Sequence, residues 1–106
     1  MTEDVFNHHL QAFGIGIDEI MKDYTDESVI ITHDATHRGR DAIRAFFQDF
    51  FDTFPAEAWD DFALLKTEVV GEVAYLTWKA SPYTDLGTDT FLIRDGKIAV
   101  QTYTKS

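Results

Sequence analysis

The sequence contains no cysteine, which excludes disulfides, a thiolate nucleophile and cysteine-ligated zinc or iron–sulfur sites. Basic residues are scarce: nine Lys and Arg stand against nineteen Asp and Glu, a formal net charge of −10. Such a balance repels phosphate backbones and anionic bilayers, so neither nucleic acid nor a membrane is expected as a partner. No apolar run approaches the roughly 20 residues of a spanning helix. The opening MTEDVFNHH is acidic and lacks the apolar stretch of a leader, so a cytoplasmic address is expected. Nucleophile elbows and Walker loops are missing. Gly14-Ile15-Gly16 is a Gly-x-Gly with no strand before it, and reads as a hinge between helices rather than a phosphate loop.

What is present is apolar and aromatic: 44% of residues are hydrophobic and 14% aromatic. A chain of 106 residues with that composition can bury a core unaided, and one domain over residues 1–106 is expected. The acidic residues are scattered through turns and helix ends, as on a solvated surface.

Phe6, Leu10 and Phe13 form a stripe over Asp4 to Phe13 that predicts a first helix, with His9 near the middle of the apolar arc and His8 at its edge. A second short helix is expected over Asp18 to Tyr24, capped by Asp18, with Ile17, Ile20, Met21 and Tyr24 inward. Ser28 to Thr32 is a β-branched run that reads as a strand buried on both faces. After Gly39 the period turns helical, with Ile43, Phe46, Phe47, Phe50 and Phe54 on one wide apolar face and Asp41 in the first turn. Pro55 should stop that helix and leave strands to the end. Two turns set register: Gly71-Glu72 and Asp95-Gly96 each suit a two-residue hairpin. Strict alternation from the first puts Leu65, Thr67 and Val69 on a face with Ala74, Leu76 and Trp78. From the second it pairs Ile93 with Ile98, Phe91 with Val100 and Asp89 with Thr102. Helices followed by an antiparallel sheet make an α+β domain.

DYTDESVIITHDATHRGRDAIRAFF resembles the strand, loop and helix of the SnoaL-like and ketosteroid-isomerase-like branch of the nuclear-transport-factor-2-like superfamily. The resemblance runs from NHHLQAF to DTFLIRDGKIAVQTY. It implies a cone: a curved antiparallel sheet wrapped around two to three N-terminal helices, with an apolar pocket between. Relatives include isomerases, cyclases, hydrolases and non-catalytic binding subunits.

Asp89 is the candidate of most interest. In the Asp-Gly register it is a carboxyl on the face of Phe91, Ile93, Ile98 and Val100, where burial should raise its pKa and let it exchange protons near neutrality. Alternatively it sits near a strand end, reaches water past Gly87 and bonds Thr102. The resemblance favours function, because ketosteroid isomerases hold a protonated aspartate at about this place on an equivalent strand. His9 is the second candidate, either as a pocket imidazole or as a core histidine with one satisfied bond. In the resemblance, the isomerases' oxyanion-hole tyrosine falls at His9 when the Gly14 to Gly16 connection absorbs one residue, and at His8 otherwise. Their general base falls on Thr32, which cannot act as one, leaving His33, Asp34 or Asp89. Their supporting tyrosine falls on Phe47. His33 and His37 straddle a loop with no third ligand at a recognisable spacing, so no metal is expected, and no organic cofactor. Arg38 and Arg40 flank Gly39 and suit either an anion at the helix start or ion pairs with Asp34 and Asp41.

The candidate catalytic pair is therefore Asp89 and His9, with Tyr24, Thr32, His33, Phe47, Phe50, Trp59, Trp78 and Phe91 as candidate pocket residues. The expected function is isomerase or cyclase chemistry by acid and base on a small apolar carbonyl or polycyclic compound. The alternative is a non-catalytic homodimeric ligand-binding or assembly module. In either case a homodimer is expected through the outer sheet face, where Tyr75, Leu92, Ala99 and Tyr103 are available.

Overall fold

The computed structural model describes residues 1–54 and 56–105. Helix α1, Thr2–Ala12, buries Val5, Phe6, His9 and Ala12, the set that helical spacing brings to one face. Gly16 then takes φ +147°, a conformation that side-chain-bearing residues rarely adopt, and the chain reverses. The second helix differs from expectation. Helix α2 is only Ile17–Ile20 and tightens into a 3₁₀ turn, Met21–Asp23. Gly16 occupies its N-cap, while Asp18 makes no cap and pairs with Arg44 at 2.8 Å. Arg40 Nη1 donates to the carbonyls of Met21 at 2.7 Å and Tyr24 at 2.6 Å. That guanidinium holds the open carbonyl end of the turn.

Strands β1, Val29–Thr32, and β2, Thr36–Arg38, precede helix α3, Gly39–Thr53. Burial of β1 on both faces is not observed: Ile30 is fully buried, but Ile31 is 43% exposed. Helices cover only one side of this sheet, so the next residue along faces out. In α3, Ile43 and Phe47 are buried and Phe46 and Phe50 half-buried. The expected stop at Pro55 lies outside the described residues, but the chain does not pass straight to strands. A short helix α4, Ala56–Asp60, intervenes and places Ala58 in the core and Trp59 beside it.

Strands β3, Phe62–Val70, β4, Val73–Ala80, β5, Thr84–Arg94, and β6, Lys97–Lys105, complete a curved, open six-stranded sheet in the order β2-β1-β6-β5-β4-β3. The fold is α+β, as expected. The sheet is mixed rather than wholly antiparallel, because β6 lies between β5 and β1 and runs parallel to β1. A parallel neighbour needs a long crossover, and everything between Thr32 and Lys97 supplies it.

Both expected hairpin turns form, with Val70 opposite Val73 and Arg94 opposite Lys97. Each ladder then slips at a β-bulge. Leu64 faces Trp78 and Lys66 faces Thr77, leaving Leu65 as the extra residue. Ile93 faces Ile98 but Leu92 faces Val100, leaving Ala99 as the extra residue. One inserted residue reverses the side on which every later residue points. Beyond Ala99, Phe91 therefore lies opposite Gln101 and Asp89 opposite Tyr103, not opposite Val100 and Thr102.

Candidate functional site

The bulge at Ala99 assembles the polar part of the site. On β6 it turns Ile98, Gln101 and Tyr103 toward the helices and leaves Thr102 exposed. On β5 the register shifts once, between Thr84 and Gly87, and alternates regularly from there, so Gly87, Asp89, Phe91 and Ile93 share the inner face. Asp89 thus lies between Leu76 of β4 and Tyr103 of β6. Tyr103, assigned from the sequence to the outer dimer face, belongs to the interior and is only 9% exposed.

The Asp89 carboxylate is held by two donors. Trp78 Nε1 donates to Oδ1 at 3.1 Å, and Gln101 Nε2 donates to Oδ2 at 2.9 Å. Gln101 is in turn oriented by Tyr24, whose buried hydroxyl donates to Oε1. An amide that accepts from Tyr24 must present its N–H to Asp89. Burial raises the Asp89 pKa from 3.8 to about 6, and the Trp78 and Gln101 hydrogen bonds oppose the rise without cancelling it. Neither the strand-end reading nor a bond to Thr102 describes this residue.

Trp78 is placed by a glycine. It lies opposite Gly87, and a Cβ there would stand 2.2 Å from Cε2 of the indole. Only a glycine leaves room for the ring to lie against the strand and reach Asp89. The indole is also parallel to the Tyr103 ring, with 6.3 Å between centroids and 2° between planes.

A cavity of about 130 Å³ opens against this group. Its polar side chains are His9, Asp89, Gln101 and Tyr103, with Trp78 beside them, and the rest of its wall is aromatic and aliphatic. His9, not His8, reaches it. His9 is 1% exposed and packs edge-on against Phe13, Tyr24 and Phe91. Burial, reinforced by neighbouring His8, depresses its pKa to about 3, so the imidazole is neutral at physiological pH. Its Nδ1 and the Tyr103 hydroxyl are buried without a hydrogen-bond partner among the described residues. Burial and the Asp89 carboxylate push the Tyr103 pKa up, keeping the phenol protonated.

The expected pocket residues divide. Phe47, Phe50, Trp59 and Trp78 line the cavity with His9 and Asp89. Tyr24 stands behind the wall as the residue that orients Gln101. Phe91 packs against His9, ring centroids 4.9 Å apart, and does not line this cavity. Thr32 and His33 do not line this cavity but a second, outer groove between the β1–β2 loop and α3, which shares Phe46, Phe50 and Tyr103 with it; there His33 Nε2 lies 3.3 Å from Asp34. Gln101 and Tyr103 were missed because strict alternation put them outside. A threonine ladder could have revealed them: Thr88 lies opposite Thr104 and Thr90 opposite Thr102. Matching threonines on one face argues that the residues between them point to the other.

His8 has a different task. Nδ1 lies 2.7 Å from Asp23 Oδ2, and Nε2 lies 2.6 Å from Glu19 Oε2. Donation from the ring to the Glu19 and Asp23 carboxylates favours the protonated form and raises its pKa. It ties α1 to α2 and the 3₁₀ turn at the edge of the core.

The family model of the SnoaL-like domain matches residues 6–101. No curated protein matches the chain. Among solved structures, a SnoaL-like protein of unknown function from Burkholderia thailandensis superposes with a TM-score of 0.80 at 12% identity, covering 99% of this chain and 94% of that one. A protein of Sinorhizobium meliloti named as a proposed polyketide cyclase gives 0.77 at 20% identity, covering 94% and 93%. A proposed isomerase of the SnoaL-like family from Agrobacterium tumefaciens gives 0.64 at 12% identity, covering 86% and 84%. Identities this low establish a shared fold alone. Among the described residues, no helix is long and apolar enough to cross a membrane.

Proposed function

The chain belongs to the SnoaL-like domain family, and on that premise we propose that it is an isomerase or cyclase acting by acid and base on a small apolar carbonyl compound. The observation that carries this is Asp89: a buried carboxylate with a pKa of about 6, held by two donors and facing an apolar cavity. A base works best when its pKa lies near the working pH, since it is then ionised yet still proton-seeking.

Each Asp89 oxygen has accepted one hydrogen bond and retains a lone pair. One of these removes a proton from the carbon beside the carbonyl. The C–H electrons form the enolate double bond, and the carbonyl electrons move onto oxygen. Neutral His9 donates an N–H toward that charge. Where the substrate carries a β,γ double bond the enolate is a dienolate, and protonated Asp89 returns its proton to the γ-carbon, which moves the double bond into conjugation with the re-formed carbonyl. In a cyclisation, the enolate carbon instead attacks a second carbonyl, and the new alkoxide takes the proton. Either route is redox-neutral and leaves Asp89 as it began.

The names of the cyclase and isomerase neighbours support the same class of reaction. The cavity argues against a whole polycyclic guest: about 130 Å³ compares with the ~150 Å³ of an engineered cavity that binds benzene. The homodimer belongs to this proposal too. Tyr75, Leu92 and Ala99 are half-buried on the outer sheet face and offer a surface for a second copy. A strictly monomeric mass at micromolar concentration would remove that part.

The decisive experiment follows exchange of α-hydrogens for deuterium in a panel of small ketones by proton NMR. Enzyme-dependent exchange that Asp89→Asn abolishes, with the fold retained, is expected. Exchange that survives the substitution removes Asp89 from the mechanism, and ligand binding without exchange by the unaltered protein moves the chain to the non-catalytic alternative.

A further inference from the structure

The cavity presents a second polar group whose chemistry complements a base. Tyr103 and Asp89 are directly opposed on neighbouring strands with both side chains on the inner face. Opposed residues of an antiparallel pair place their Cβ atoms about 4.5–5.5 Å apart. Both residues line the same small space, one a carboxylate acceptor and the other a phenol donor. The Tyr103 ring is fixed on one side by the parallel indole of Trp78 and approached edge-on by Phe46 and Phe50 at 5.9 and 6.0 Å. Trp78 is also the donor to Asp89, so a single indole sets the position of both. The Tyr103 hydroxyl is buried without a hydrogen-bond partner among the described residues, which leaves its proton free for a guest.

We propose that Tyr103 is a further catalytic residue: its hydroxyl donates to the carbonyl oxygen of a ketone no larger than a single ring, while Asp89, opposite, faces the neighbouring carbon. This rests on the reading of Asp89 as the base and adds the electrophile and the size of the substrate. When the α-proton moves to Asp89, charge gathers on an oxygen already bonded to the phenol. A donor fixed before the reaction stabilises that charge without reorganising. The cavity sets the size, since its volume is close to that of a benzene site. A single ring or its acyclic equivalent fills it.

The test compares cyclohexanone with methylenecyclohexane, which has the same shape but carries CH₂ in place of the carbonyl oxygen. Affinities of both are measured by ligand-observed NMR on the unaltered protein, Tyr103→Phe and His9→Leu. The expected result is that Tyr103→Phe weakens the ketone roughly tenfold, the worth of about one hydrogen bond, and binds the hydrocarbon as before, which also shows the cavity intact. His9→Leu removes the donor assigned above to the charge that develops during reaction, so it should slow deuterium exchange, and added to Tyr103→Phe it should leave the Tyr103 effect on the ketone in place. A ratio of ketone to hydrocarbon affinity that Tyr103→Phe leaves unchanged overturns the proposal. So does a ratio that falls only in His9→Leu.

Deuterium exchange into cyclohexanone separates the two levels of argument. Exchange that depends on Asp89 and is unaffected by Tyr103→Phe overturns the role of Tyr103 and leaves the base in place. A ketone preference that depends on Tyr103, without exchange by the unaltered protein, identifies a carbonyl-binding site and overturns catalysis by both residues.

Discussion

The substitution Asp89→Asn converts the buried carboxyl into a measurable stability profile. In the folded protein this group titrates at about 6 against an ordinary 3.8. At 1.36 kcal/mol for each pH unit between them, keeping it ionised costs the fold about 3 kcal/mol at neutral pH. The folded-state pKa is raised, so the fold binds the proton more tightly than the unfolded chain does. The stabilising contribution is full below 3.8, is lost as pH rises toward 6, and stays constant above. An amide in its place cannot follow that course. It keeps an oxygen for the Trp78 N–H, but its own NH₂ requires the Gln101 amide to turn over, which disturbs the bond from Tyr24. That rearrangement is an offset common to every pH. Urea unfolding of both proteins, followed by tryptophan fluorescence, should give a stability difference that shifts in favour of the Asp89→Asn variant by about 3 kcal/mol from acid to neutral pH. A difference that does not change with pH would refute the raised pKa, and with it the argument for Asp89 as a base.

His9 makes the same experiment more discriminating. Its folded-state pKa of about 3 is depressed from 6.5, so its contribution is full above 6.5 and is lost as pH falls toward 3. Between about 3.8 and 6 the two groups oppose each other with equal slope, and their contributions cancel in the unaltered protein. Removing the carboxyl unmasks the histidine, so the Asp89→Asn variant should weaken steadily on acidification where its parent holds level with respect to this pair.

Gly87→Ala should displace Trp78, because the added methyl would stand 2.2 Å from the indole. Overpacking of this kind costs about 1–3 kcal/mol, and near-ultraviolet circular dichroism should report the lost indole packing; an unchanged spectrum and unfolding midpoint would contradict the fit described. The two neighbouring histidines should separate by NMR titration. His8 should titrate above its ordinary 6.5 because Glu19 and Asp23 hold its protonated form, whereas His9 should stay neutral down to about 3. A His9 resonance titrating at the ordinary value would place that ring in water.

The elements that were legible in the sequence are those where one local rule decides. The stripe over Asp4 to Phe13, the aromatic face of α3 and the Gly71-Glu72 and Asp95-Gly96 turns all rest on period or turn chemistry. Asp89 and His9 were found because a polar residue inside an apolar pattern announces itself. What escaped depends on partners distant in the chain. The bulges at Leu65 and Ala99 follow from how strands fit a curved sheet, and no residue at either site demands one. Missing the second concealed Gln101 and Tyr103 together. Tyr24 was recognised as inward, but its role needs Gln101 at its side, 77 positions away. Helix α4 was missed because Ala56–Asp60 is too short for an apolar period to show.

The way Asp89 is assembled divides between near and distant parts of the chain. The β5–β6 hairpin closes through the two-residue Asp95-Gly96 turn, so Gln101 and Tyr103 come to Asp89 as neighbours in sequence. A hairpin cannot by itself supply Tyr24, 77 positions from Gln101, or the helices that cover the inner face. A carboxyl on an uncovered sheet face is hydrated and keeps an ordinary acidity. The raised pKa of Asp89 is therefore a property of the covered sheet, not of the strands that carry the residue.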